Sequence, residues 1–211
     1  MNLWSWFWGT RLKKDMKTSV EGLIPFILKW ETGAVKKSGE SMIELFARAK
    51  KTGWSDDPND LGGQTMCGVT LSTYKSYCRK KGFPTPSAIG LKEITYSEWK
   101  DVLKTLFWDR WKADEIKSQK IANFLVDWVW ASGLYGIKLP QELLEVKADG
   151  VVGDKTLAAV NAQDPDEFLL RLYARRTEYY NRLVAQKPTQ KKWLKGWMNR
   201  LNDIMKYEAK V

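Results

Sequence analysis

The chain has 211 residues, with 35 Lys and Arg against 25 Asp and Glu, for a formal net charge of +10. That length allows one good core, and that charge calls for an anionic partner: nucleic acid, a membrane face or an acidic wall polymer. There is no histidine and there are two cysteines, which excludes a Ser-His-Asp triad, a Cys-His dyad and a zinc site of the usual ligand set.

Acid–base chemistry then falls to carboxylates, Lys or Tyr, with no cofactor expected. Cys67 and Cys78 read as buried thiols rather than a disulfide framework. The twelve Trp exceed what core packing needs, and either fill the core or offer flat faces along a groove.

Met1–Trp8 is apolar and aromatic, with Arg11, Lys13 and Lys14 after it. A secretory signal puts its positive charge first, so residues 1–18 read as a tail, and no run is long enough to span a membrane. Thr18-Ser19-Val20-Glu21 fits a capping box for a helix whose Leu23, Phe26, Ile27 and Trp30 face inward. Pro25 kinks that helix unless it begins nearer Leu23, and Glu31-Thr32-Gly33 ends it.

Residues 35–53 read as a basic insertion in which Ser41 and Glu44 cap a short helix carrying Leu45, Phe46 and Ala49. Asp56–Val69 is rich in Gly, Asp and Asn and reads as turns and short strands. Thr70 or Ser72 caps the next helix, and Thr95 with Glu98 forms a second capping box. Ser118 opens a helix that is apolar nearly all round and so belongs at the centre of the fold. Asp149–Asp154 is a tight turn, with Asp154 capping a helix that carries Leu157 and Val160. Asp164-Pro165-Asp166-Glu167 is a strong helix start. A last helix holds Leu194, Trp197, Leu201 and Met205. The pattern as a whole is α+β, mostly α-helical, with one small β region after the first long helix.

Glycoside hydrolysis needs a carboxylic acid for the leaving oxygen and usually a second carboxylate for a water or the developing cation. Glu31 ends an apolar helix beside Trp30, where partial desolvation can raise a glutamic acid to roughly pH 6–7. Asp60 lies in a Gly-rich loop that keeps it ionised, and Thr65 and Thr70 offer hydroxyls for a water. Taken singly, Glu31 is also an ordinary helix-end carboxylate. Asp56, Asp57, Asp60 and Thr65 are equally ordinary turn residues.

Together these residues carry a resemblance. Phe26–Gly33, which contains Glu31, followed by Asp56-Asp57-Pro58-Asn59-Asp60-Leu61-Gly62-Gly63-Gln64-Thr65-Met66-Cys67-Gly68-Val69-Thr70, resembles glycoside hydrolase family 108. Trp108-Asp109, Asp127 through Ser132-Gly133 and Val146–Leu157 resemble the peptidoglycan-binding-type module that completes such proteins.

The resemblance implies a lysozyme-like fold and N-acetylmuramidase activity on peptidoglycan glycan strands. It implies a catalytic half over residues 19–115 and a helical half over residues 116–211 packed on it. Glu31 is then the general acid, with Asp60 and Thr65 as the later acid and hydroxyl, and Asp57, Gly63, Thr70, Trp108 and Asp127 as substrate contacts. The expected protein is a monomer, made in the cytoplasm without a clear signal peptide, that reaches the wall after release or export. Thr32, Met66 and Ala131 depart from the family's usual residues. The rivals are a non-catalytic wall-binding protein of the same fold and, further off, a basic nucleic-acid binder, for which no motif is present.

Overall fold

The computed structural model describes residues 18–56 and 63–207. The tail before Thr18, and with it Met1–Trp8, lies outside the described residues, as do Asp57 and Asp60. Ten α-helices and three two-residue strands follow one another in the described chain.

Helix α1 (Ile24–Thr32) begins after a single 3-10 turn, Val20–Gly22. Pro25 sits in its first turn, where a missing N–H costs nothing, and so does not kink it. The N-terminal cap is Ser19, which accepts from the Glu21 N–H, and not Thr18. The Thr18 hydroxyl instead donates to the Ile116 carbonyl, tying the start of the described chain to the loop before α6. Gly33, at φ +76°, closes α1 by donating to the Lys29 carbonyl.

Helix α2 (Met42–Lys50) carries the expected Ser41/Glu44 capping box and buries Leu45, Phe46 and Ala49. The segment read as an insertion therefore contributes to the core, packing on α1 and on α5. Strands β1 (Trp54–Ser55), β2 (Thr65–Met66) and β3 (Val69–Thr70) form an antiparallel sheet with Trp54 opposite Met66 and Met66 opposite Val69. Between β2 and β3 the turn is Cys67-Gly68, with φ +47° and +81°. Positive φ at both central residues is the two-residue turn whose twist matches a hairpin.

Helices α3 (Leu71–Lys81), α4 (Ala88–Lys92) and α5 (Tyr96–Leu103) complete this half, with Thr70 capping α3 and the Thr95/Glu98 box capping α5. After α5 the chain widens into a π-helical turn over Lys104–Trp108. Helix α6 (Gln119–Ser132) is buried without a break from Ile121 to Val129 and occupies the middle of the molecule, as its all-round apolar pattern implies. Around it pack α7 (Tyr135–Leu143), α9 (Pro165–Gln186) and α10 (Lys191–Lys206). Helix α8 (Asp154–Asn161) is N-capped by Gly153, with Asp154 as its first residue, correcting the expected Asp154 cap. Asp164 caps α9 through the N–H groups of Asp166 and Glu167. One apolar cluster runs from Val20 to Ile204, through both halves. None of the described helices is long and apolar enough to cross a membrane.

Candidate active site

Glu31 lies in the last turn of α1, and its carboxylate is met from two sides. On one side is the β2–β3 hairpin. A Cβ built on Gly68 would stand 2.6 Å from Glu31 Cγ and 2.7 Å from Trp130 Cζ2, so only glycine lets the turn approach this closely. Buried partners pin that turn. The Cys67 N–H donates to the Gly53 carbonyl at 2.8 Å, and the indole of fully buried Trp99 donates to the Cys67 carbonyl at 3.1 Å. Burial pushes the Cys67 thiol up to about 12, with Lys50 lowering it and Glu31 adding to the rise, so it stays protonated and is no nucleophile.

On the other side are helices α6 and α10. Glu31 Oε1 accepts from Trp130 Nε1 at 2.9 Å and from Arg200 Nη1 at 2.7 Å. Trp130 is held in turn against Phe107, with ring centroids 4.6 Å apart, and against Trp99. Oε2 of Glu31 receives no donor among the described residues. The sequence leads one to expect apolar neighbours around this carboxyl, with Trp30 foremost. Trp30 points elsewhere, donating to Asp203 Oδ2 at 2.7 Å, and what meets Glu31 is a cation and an indole N–H.

Arg200 does not act alone. Its Nε and Nη2 both donate to Asp127 Oδ1, at 3.0 and 2.8 Å, while Arg176 Nη1 donates to Asp127 Oδ2 at 2.8 Å. The Asp127 and Arg176 side chains have no exposed surface. The Arg176 guanidinium lies 5.6 Å from the ring centroids of Phe124, Trp128 and Tyr180, and its Nε donates to the Tyr180 hydroxyl. Burial pushes the Asp127 carboxyl up, but the charges of Arg200 and Arg176 outweigh it and hold it below the ordinary carboxylate range. Burial likewise disfavours the charged Arg200, and the Asp127 and Glu31 carboxylates more than restore it. The result is a line of alternating charge, Arg176–Asp127–Arg200–Glu31, contributed by α9, α6, α10 and α1.

The other residues singled out from the sequence divide into several groups. Thr65 is half-buried at the edge of the hairpin, its hydroxyl donating to the Gly63 carbonyl at 3.0 Å. Gly63 stands at φ +60°, a turn conformation that favours glycine. The Thr70 hydroxyl is engaged in capping α3, accepting from the Thr73 N–H at 3.1 Å. Trp108 has no exposed surface, because the π-helical turn carries it inward, where its indole donates to Asp114 Oδ1. Neither Trp108 nor Asp127 can touch a substrate: both are core residues, and Asp127 acts on the site only through Arg200. Asp57 and Asp60 fall within the residues not described.

Arg176 and Arg200 do not stand out in the sequence as site residues, yet a signal for them exists. Arg176 sits four residues from Leu172 and four from Tyr180, on the buried stripe of α9. Arg200 lies four before Ile204 on the buried face of α10. A charge on an apolar stripe calls for a buried counter-charge, and Asp127 stands within the apolar run of α6.

Residues 46–133 match the family described as Glycosyl hydrolase 108, and residues 135–202 match the one described as Predicted Peptidoglycan domain. Among solved structures, "Structure of Brucella abortus SagA" aligns with a TM-score of 0.62 and 27% sequence identity, covering 76% of this chain and 91% of that one. No curated protein matches the chain. The first match begins at Phe46, after Glu31, while Trp130 and Asp127 fall inside it and Arg200 falls inside the second. The site is thus assembled from three stretches of chain.

Proposed function

From the match of residues 46–133 to Glycosyl hydrolase 108 and of residues 135–202 to Predicted Peptidoglycan domain, we propose that this protein hydrolyses peptidoglycan as an N-acetylmuramidase and that Glu31 is its general acid. The observation that carries this role is the placing of the Glu31 carboxylate between the Gly68 hairpin turn and the Trp130–Arg200 pair, with Oε1 held and Oε2 unclaimed among the described residues.

In this reading Oε2 faces the bridging oxygen between N-acetylmuramic acid and N-acetylglucosamine. A proton on Glu31 passes to that oxygen as the C–O bond breaks, and the positive charge that develops on the sugar needs an anionic partner. Asp60 is proposed for that partner, or for activating the water, and Thr65 for positioning the water. Substrate seated over Glu31 excludes water from the proton transfer. When Glu31 changes charge, Arg200 still pairs with Asp127, which it shares with Arg176.

The basic surface suits an anionic wall, and long-range attraction raises the rate of encounter. An endolysin role, with a monomeric enzyme reaching the wall by release or export, fits this chemistry and is proposed with it. The test is hydrolysis of purified sacculi. The expected products are soluble fragments with new reducing ends on N-acetylmuramic acid, identified by mass spectrometry. Binding to sacculi without any reducing ends would instead identify a non-catalytic wall binder of the same fold.

A further inference from the structure

Asp127 and Arg176 are too deep to meet a glycan, yet they end on the carboxylate proposed to do the chemistry. Arg200 makes two hydrogen bonds to Asp127 and one to Glu31. Its single positive charge is therefore divided between two anions, and the second cation, Arg176, competes for Asp127 from the far side. Resting on the reading of Glu31 as the general acid, we propose that Asp127 and Arg176 are positioning residues that set, through Arg200, how firmly the Glu31 proton is held.

The other groups around Glu31 leave this line as the adjustable one. From the hairpin comes Cys67, a thiol that stays neutral. From α1 and α10 come Lys29 and Asp203, which neutralise each other at 2.6 Å. From α6 comes Trp130, which does not titrate. Asp57 and Asp60 belong to the residues not described, and they stay unchanged in every variant of the test.

The proposal makes two predictions of opposite sign at residues that do not touch Glu31. In Asp127→Asn the full charge of Arg200 falls on Glu31, with Arg176 uncompensated behind it. The Glu31 anion is then favoured, and the alkaline fall in rate begins at lower pH. In Arg176→Met the whole of Asp127 neutralises Arg200, the Glu31 anion is favoured less, and the alkaline fall begins at higher pH. Each shift is expected to be roughly half to one pH unit, the scale of one charge changed nearby in a partly buried site. It should appear in kcat more than in KM.

The experiment measures initial release of reducing ends from purified sacculi against pH for wild type, Glu31→Gln, Asp127→Asn and Arg176→Met, with circular dichroism to establish folding. Methionine fits the aromatic surround of Arg176, so that variant decides the matter if Asp127→Asn fails to fold. Opposite shifts, or the upward shift alone in Arg176→Met, support the proposal. Folded variants whose alkaline limb stays at the wild-type pH, with rates scaled down uniformly, overturn it and leave the ions as scaffold. An active Glu31→Gln, or an inactive wild type, overturns the general-acid reading instead, and is seen before the variants are compared.

Discussion

On the hairpin side of Glu31, shape is held by backbone: a two-residue turn at positive φ, an N–H on the Gly53 carbonyl and a carbonyl under the Trp99 indole. On the helical side, shape is held by charge: two guanidinium groups and a carboxylate, drawn from three helices and almost wholly withdrawn from solvent. The first wall is rigid but electrically quiet. The second fixes Oε1 in place and also decides what the carboxylate feels. A carboxyl group that is to transfer a proton needs both, since position alone does not set its charge state and a field alone does not aim the proton.

The comparison can be broken most severely at the shared residue. Glu31→Gln keeps size and the Trp130 contact but removes the transferable proton. Lytic rate should fall by about 10²–10⁴, the usual contribution of general acid catalysis, with the melting temperature little changed.

Next comes the charged wall. Asp127→Ala leaves two buried or nearly buried arginines without their shared anion, and should cost about 3–5 kcal/mol, or about 10 °C in melting temperature. The acid limb sharpens this. Because the folded Asp127 carboxyl lies below its ordinary value, its contribution is complete above about pH 4, the unfolded value, and is lost as pH falls through the lower folded one. Thermal melts of wild type should therefore drop steeply below about pH 4, and those of Asp127→Asn should drop less steeply.

The quiet wall comes third. Gly68→Ala meets Glu31 Cγ and Trp130 Cζ2 well inside contact distance at φ +81°. It should cost about 1–3 kcal/mol and roughly tenfold or more in rate. A variant that melts lower but hydrolyses sacculi normally would remove the hairpin from the site. The smallest effect is expected at a feature outside both walls. Thr95→Ala removes the cap of α5, which should cost about 1 kcal/mol with hydrolysis unchanged.

The two walls also differ in how much of each the sequence exposes. Hairpin, caps and helix ends are local, and local chemistry is written in neighbouring residues. Gly33, Ser41 with Glu44, Thr95 with Glu98 and Asp164 all stand where their types imply. The Gly-rich run announces a turn near Gly68, and the helix-ending Glu31 announces an acid beside it. The charged wall is non-local. Asp127 reads as a substrate contact until its partners, 49 and 73 positions away, are known. Among 35 basic residues, nothing short of the apolar stripes on α9 and α10 marks Arg176 and Arg200. Trp108 misleads for a related reason: the π-helical turn that carries it inward has no clear signature in the residues that form it.

Arg200 stands 169 positions after Glu31. A ribosome extrudes the amino end first, so the acid leaves the tunnel long before its guanidinium partner has been translated. The Arg200–Glu31 pair therefore forms only after α10 has been made. A chain cut ahead of α10 keeps the Trp130 contact to Glu31 but lacks the guanidinium that holds the same oxygen.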